Sequence, residues 1–265
     1  MADPAHVQAG LRLLKRATAD FDEIVSGLDA AGWATPTNLP GWDVKHLTAH
    51  LTRGAESYIT AIEHGLRGDL ERRMTPEDRA RRMRELAALD TAELLGLFRE
   101  RAQAFDALIA GLPDEQLDTL GAHSYGPRTV TWFVEQRLAE LFYHGWDLRV
   151  SLGLDSELDD ETARYLLPML IESNLPTLSP GTPGWAGAIG IAVEGAPDLQ
   201  WTVMMGPDAI ATSRRIVSAM AELRGSAPAI ALLIYGRRDL ADLERQGSLK
   251  IEGNRVAVEQ FCAAI

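Results

Sequence analysis

Cys262 is the only cysteine in a chain of 265 residues. That excludes an intramolecular disulfide and any cysteine-rich zinc site. Its setting, Val258-Glu259-Gln260-Phe261-Cys262, suits a packed apolar thiol better than a nucleophile. Basic charge is also scarce: 26 Lys and Arg against 38 Asp and Glu leave a net charge of −12. A general affinity for nucleic acid or anionic membranes needs a basic face and is excluded. No run approaches ~18 apolar residues, so no segment is expected to span a membrane. The N-terminus carries Asp3, His6 and Gln8 and lacks the basic start and apolar run of a secretory signal. These absences predict a cytoplasmic protein with neither nucleic acid nor membrane as partner.

What is present is the balance of a globular protein, 46% hydrophobic and 24% charged, at a length that accommodates one large or two ordinary domains. Val7, Leu11, Leu14, Thr18, Phe21, Val25 and Leu28 recur at helical steps and predict a first helix. Pro36, Pro40 and Gly41 break the chain, and Asp43 is placed to cap a second helix with Val44, Leu47, Leu51, Ala55, Tyr58 and Ile62 on one face. Thr75-Pro76-Glu77 opens a short third segment. Asp90 and Glu93 form a capping box for a longer helix bearing Leu94, Leu97, Phe98, Phe105 and Leu108. A further helix is predicted over 128–152, closed by Gly153.

Four long amphipathic helices predict an antiparallel four-helix bundle within residues 1–175. The arginines at 67, 72, 73, 79, 81, 82 and 84 are interleaved with acids and read as a solvated face. A helix over 160–173 precedes the stretch 176–190, whose three prolines and four glycines mark a boundary. Beyond it, strands at 188–193, 199–205 and 209–213, helices near 215–223 and 228–235, a strand at 248–252 and a closing helix predict a small α+β domain over 185–265.

The 128–152 helix carries the chemistry. One stripe is apolar, yet Trp132, Tyr143 and Trp146 occupy the far side, so the helix is expected to be buried nearly all round. A second stripe reads Phe133, Arg137, Glu140, His144, Asp147. Four ionisable groups in line on a buried helix must be paired or bound to an ion. Glu140 and His144 stand on adjacent turns, roughly 6 Å apart at Cβ, where one ion could reach both. A third ligand has to come from another helix. His50 lies about 100° from the centre of its apolar stripe and His46 about 140°, so His50 borders the interior and His46 faces out. His50, Glu140 and His144 would form a two-histidine, one-carboxylate set with an open position, as in catalytic zinc sites. His6, His64 and His123 read as surface residues.

The segment Leu39-Pro40-Gly41-Trp42-Asp43-Val44-Lys45-His46-Leu47-Thr48-Ala49-His50-Leu51 resembles the second-helix signature of mycothiol-dependent maleylpyruvate isomerases and their DinB-like relatives. Arg137-Leu138-Ala139-Glu140-Leu141-Phe142-Tyr143-His144-Gly145-Trp146-Asp147 is similar to the fourth-helix signature of the same family. The resemblance implies zinc, or another divalent ion, on His50, Glu140 and His144, and a C-terminal domain of sterol-carrier-like type. There Leu232-Leu233-Ile234-Tyr235-Gly236-Arg237 matches, and Arg237 is implied as the catalytic residue that meets a substrate carboxylate; an arginine at a helix end, favourable to the dipole, is the structural alternative.

The same resemblance implies mycothiol as thiol cosubstrate of a zinc-dependent isomerase or S-transferase. A coordinated ion favours thiolate over thiol, and the thiolate attacks a small, anionic electrophile. With one remote cysteine in the chain, an external thiol is chemically sensible. Two other readings stand beside it: a metal-dependent hydrolase or other-thiol transferase, and a non-catalytic small-ligand binder. A structural site would want a fourth protein ligand, which favours an enzyme. The partners expected are a small-molecule substrate and a low-molecular-weight thiol, with the chain a monomer or homodimer. Substrate choice is expected to lie in the loop 123–127 and in the linker near Trp185.

Overall fold

The computed structural model describes residues 2–71, 74–178, 186–207 and 209–265, so Trp185, Arg72 and Arg73 lie outside the described residues. Packing divides the chain into two compact units, Met1–Glu157 and Leu158–Ile265. The division falls one helix before the proline- and glycine-rich stretch. Among the described residues no helix is long and apolar enough to cross a membrane.

The first unit contains helices α1 (Pro4–Ser26), α2 (Ala30–Trp33), α3 (Val44–Leu66), α4 (Pro76–Ala88) and α5 (Thr91–Ala110). A two-strand hairpin, β1 (Leu120–Gly121) with β2 (Arg128–Thr129), leads into α6 (Val130–Ser151). Each start has a local cause. Asp3, Asp43, Thr75, Asp90 and Thr129 accept from backbone amides in the first turns, and Thr75 and Asp90 complete capping boxes with Asp78 and Glu93. The four long helices contact one another in a closed ring, α1–α6–α3–α5, with α4 laid against α3. All six residues of the expected α3 stripe are buried, and α6 buries side chains on every face, Trp132, Tyr143 and Trp146 included. The hairpin and α2 had no periodic signal in the sequence.

In the second unit α7 (Asp160–Met169) runs on through a π-type turn, Leu170–Asn174, into α8 (Leu175–Leu178). The helix therefore passes through Pro168, at the loss of one i→i−4 bond, and continues past the expected end at 173. Five strands follow in the order β5-β4-β3-β6-β7: β3 (Gly187–Val193), β4 (Gln200–Met205), β5 (Ile210–Ser213), β6 (Ala221–Gly225) and β7 (Leu249–Gly253). β3 and β6 pair in parallel; all other neighbours are antiparallel. Helices α9 (Ala227–Ile234), α10 (Leu240–Arg245) and α11 (Arg255–Cys262) complete the unit.

The helix expected over 215–223 is absent. Ile216, Met220 and Leu223 have helical spacing, but 221–225 also alternates, with Ala221, Leu223 and Gly225 buried. Pairing on both edges decides for the strand. Gly225 permits it, because a Cβ there would lie 2.5 Å from the Ser248 carbonyl oxygen.

Candidate metal centre

His50 stands on α3 two turns beyond its Asp43 cap, and Glu140 and His144 stand on adjacent turns of α6. The structure brings one ligand atom from each within 4.8 Å of the others. The His50 Nε2–Glu140 Oε2 distance is 2.8 Å and the His144 Nε2–Glu140 Oε2 distance 3.4 Å. His46 stays out of this group: its ring is 43% exposed and its Nδ1 lies 2.7 Å from Asp43 Oδ1. Arg237 belongs to the second unit, just past α9, where it donates from Nη1 to the Tyr235 carbonyl.

The remaining ionisable residues of the α6 stripe hold the set in place. Asp147 is fully buried, accepting from His144 Nδ1 at 2.9 Å and from Asn38 Nδ2 at 2.8 Å. That bond occupies Nδ1 with its proton and leaves Nε2 as the nitrogen facing Glu140. Gln136, one turn before Glu140, donates to its other oxygen at 3.1 Å. Arg137 is buried and donates to the Leu51 carbonyl of α3 at 2.7 Å, tying the two ligand-bearing helices together.

A short loop supplies the rest. Gly41, at φ +80°, turns the chain before α3. Trp42 then lays its indole 4.9 Å from the His50 ring and 6.3 Å from the His144 ring, centroid to centroid. Thr37 clamps this turn by bonding the Trp42 carbonyl through both its amide and its hydroxyl.

Electrostatics separates the three groups. Burial alone would raise the Glu140 carboxyl, but bonds and charge from His144 and His50 hold it well below the carboxylate range. Burial pushes His50 down, against the pull of Glu140. For His144 burial is outweighed by Asp147 and Glu140, and its basicity rises. An ionised carboxylate between two imidazoles, one of them fixed in tautomer by a buried aspartate, is a donor set that fits a divalent ion with room for exogenous ligands.

Two of the three, His50 and Glu140, line a cleft of about 580 Å³ together with Arg53, Tyr58, His64 and His123. His64 and His123, expected at the surface, are half-buried and line this cleft. His64 bonds Asp69 at 3.0 Å, and His123 sits among the rings of Tyr58, Tyr125, Trp132 and Phe133. His6 likewise is half-buried, 2.8 Å from Glu135. Nor is the arginine-rich stretch only a solvated face: Arg82 forks onto Glu56 of α3, and Arg79 and Arg81 reach the cleft wall. Cys262 is remote in sequence, half-buried, and has its thiol pushed up to about 12 by burial, so it offers no nucleophile.

Sequence reasoning assigned no role to Asn38, Trp42, Arg53 or Gln136. Gln136 and Arg53 sit one helical turn from a ligand and were readable by that spacing. Asn38 gave no signal, since its partner is 109 positions away.

A helical ring with an inward two-histidine, one-carboxylate cluster, followed by an α+β unit, defines a class of two-unit proteins organised around an interhelical cluster. Residues 14–149 match the family described as the mycothiol maleylpyruvate isomerase N-terminal domain, and the chain belongs to that family. Two uncharacterized proteins from two strains of Mycobacterium tuberculosis are each 31% identical over 164 residues, which is 58% of this chain and 59% of each relative. The chain thus matches less than two thirds of those relatives' length. The fold is similar to that of a mycothiol-dependent maleylpyruvate isomerase and of a single-histidine variant of that enzyme. Each superposes with a TM-score of 0.66 at 16% identity, over 88% of this chain and 90% of the other.

Proposed function

We propose that this chain is a zinc-dependent enzyme that uses mycothiol as cosubstrate and acts on a small, anionic electrophile, with isomerisation of a maleylpyruvate-like substrate the reading best supported. The observation that carries it is the convergence of three ligand atoms within 4.8 Å, two of their residues lining a cleft that contains no cysteine. His50, Glu140 and His144 would hold the ion, which when bound supplies a Lewis-acid position that favours thiolate over thiol. Everything else falls to the chain. Asp147 keeps the Nδ1 proton of His144, so that Nε2 stays available as a donor atom. Gln136 orients Glu140 and prevents its second oxygen from turning away. Trp42 covers the imidazoles on one side and limits water there.

The first unit takes the part of a DinB-like bundle and the second that of a sterol-carrier-like domain, which supplies Arg237 for a substrate carboxylate. Family membership over residues 14–149 supports the part assigned to the first unit. Calorimetric titration of the zinc-loaded protein with mycothiol, in two buffers of different ionisation enthalpy, tests it. Saturable binding with proton release near neutral pH is expected. Arg237→Ala should leave that release unchanged while turnover collapses. No heat and no proton release at millimolar thiol would sink the thiol reading.

A further inference from the structure

The cleft beside the metal centre is lined by the cations Arg53, Arg79 and Arg81 and by the acids Glu71, Asp78 and Glu140. Arg53 lies on α3 one turn beyond His50, and Arg79 lies on α4; both line the cleft. Among the described residues, the Arg53 Nε is buried without a hydrogen-bond partner, and no carboxylate pairs with either guanidinium. Nearby acids are otherwise engaged or at the rim. Asp78 is taken by Thr75 and Arg81, Glu140 by the two histidines and Gln136, and Glu71 is exposed.

An arginine cannot shed its proton to relieve this situation. Burial, the largest effect, holds the Arg53 guanidinium below its ordinary value; Arg79 adds like-charge repulsion, while Tyr58, Glu140 and Glu56 act the other way. A half-buried cation with an unsatisfied N–H on the wall of a cleft is unfavourable for the empty protein. It becomes favourable when an anion enters, because the guanidinium fork matches a carboxylate with two parallel bonds.

We propose that Arg53, with Arg79 also lining the cleft, is the anchor for a carboxylate of the substrate within the first unit. The ligand class is a small dicarboxylate or keto-acid, one carboxylate held by Arg53 while its reactive carbon faces the position beside His50 and Glu140. This deepens the enzyme reading above and rests on it, since the anion is taken to be the substrate. Gln136 and Tyr58, on the same walls, would complete the polar and aromatic lining around that ligand.

The test uses full-length protein, maleate as probe and its uncharged dimethyl ester as control, with isothermal titration before and after removal of metal by a chelator. Maleate should bind in both states and the ester in neither. Arg53→Gln should weaken maleate by about tenfold or more and Arg79→Gln by less. Arg53→Lys, which keeps the charge and loses the fork, should restore only part. Metal content and thermal midpoint should stay at wild-type values, which separates a lost anchor from a damaged fold. No maleate binding, unchanged affinity in Arg53→Gln, binding only with metal present, or equal binding of the ester would each overturn the proposal. A wild-type protein that takes up no metal yet binds maleate through Arg53 would instead remove the enzyme reading and leave the anion site standing.

Discussion

Asp147 is the residue on which the geometry of the centre turns. It touches no proposed substrate, yet its two carboxylate oxygens are divided between His144 and Asn38 in a fully buried setting. Replacing it by Asn keeps the volume but removes the charge and one of the two acceptor oxygens that serve His144 and Asn38. Partners of this kind typically contribute 10–100-fold to metal affinity. Asp147→Asn is therefore expected to weaken zinc by about that factor in chelator competition while leaving the helical circular-dichroism signal intact. His46→Ala is the matched control, because its ring faces solvent and bonds only its own helix cap. Loss of the ion from the control, with retention in Asp147→Asn, would mean that the ligand set had been drawn on the wrong face of α3.

The elements most legible in sequence were those whose signal is local. Caps at Asp43, Thr75 and Asp90, and the stripes of α1, α3 and α6, each lie within a few turns of the residues they govern. The same angular argument that buried Leu47 and Leu51 also separated His50 from His46. What could not be read was decided by partners far along the chain. β6 is a strand because β3 and β7 flank it, against a helical spacing of its own apolar residues. The β1–β2 hairpin is two residues per strand and owes its place to a glycine on another element: a Cβ at Gly65 of α3 would lie 2.0 Å from the Leu120 carbonyl oxygen. Gly65→Ala should consequently force backbone apart and destabilise the protein by about 1–3 kcal/mol, the usual range for overpacking. Urea denaturation measures it. A stability within about 0.5 kcal/mol of wild type would show that the hairpin rides loosely on α3. The loop after β1 carries His123 and Tyr125 to the cleft, so the same substitution should disturb ligand binding as well.

For the molecule as a whole, the question is whether the ion is part of the fold or a guest in it. α3 alone buries Val44, Leu47, Leu51, Ala55, Tyr58 and Ile62, and each large apolar side chain contributes roughly 1.5–3 kcal/mol. Arg137 ties α3 to α6 through the Leu51 carbonyl with no ion involved. Those contributions together exceed what three ligands add, so chelator-treated protein should remain folded with a cooperative thermal transition. Adding zinc at about 100 times its dissociation constant should stabilise it by about 2.7 kcal/mol, through mass action on the native state alone. Differential scanning calorimetry reads the shift, and His50→Ala should abolish it. Unfolding on chelation would put the ion among the structural contributors instead. One feature of the centre also bears on how such a chain can change over generations. Asn38 and Trp42 lie four residues apart on a single turn, one gripping the aspartate behind His144 and the other covering both imidazoles. Substitutions elsewhere in the turn leave both grips in place, whereas one inserted or deleted residue between them releases at least one. The length of that turn is thus as much a requirement of the centre as the ligands themselves.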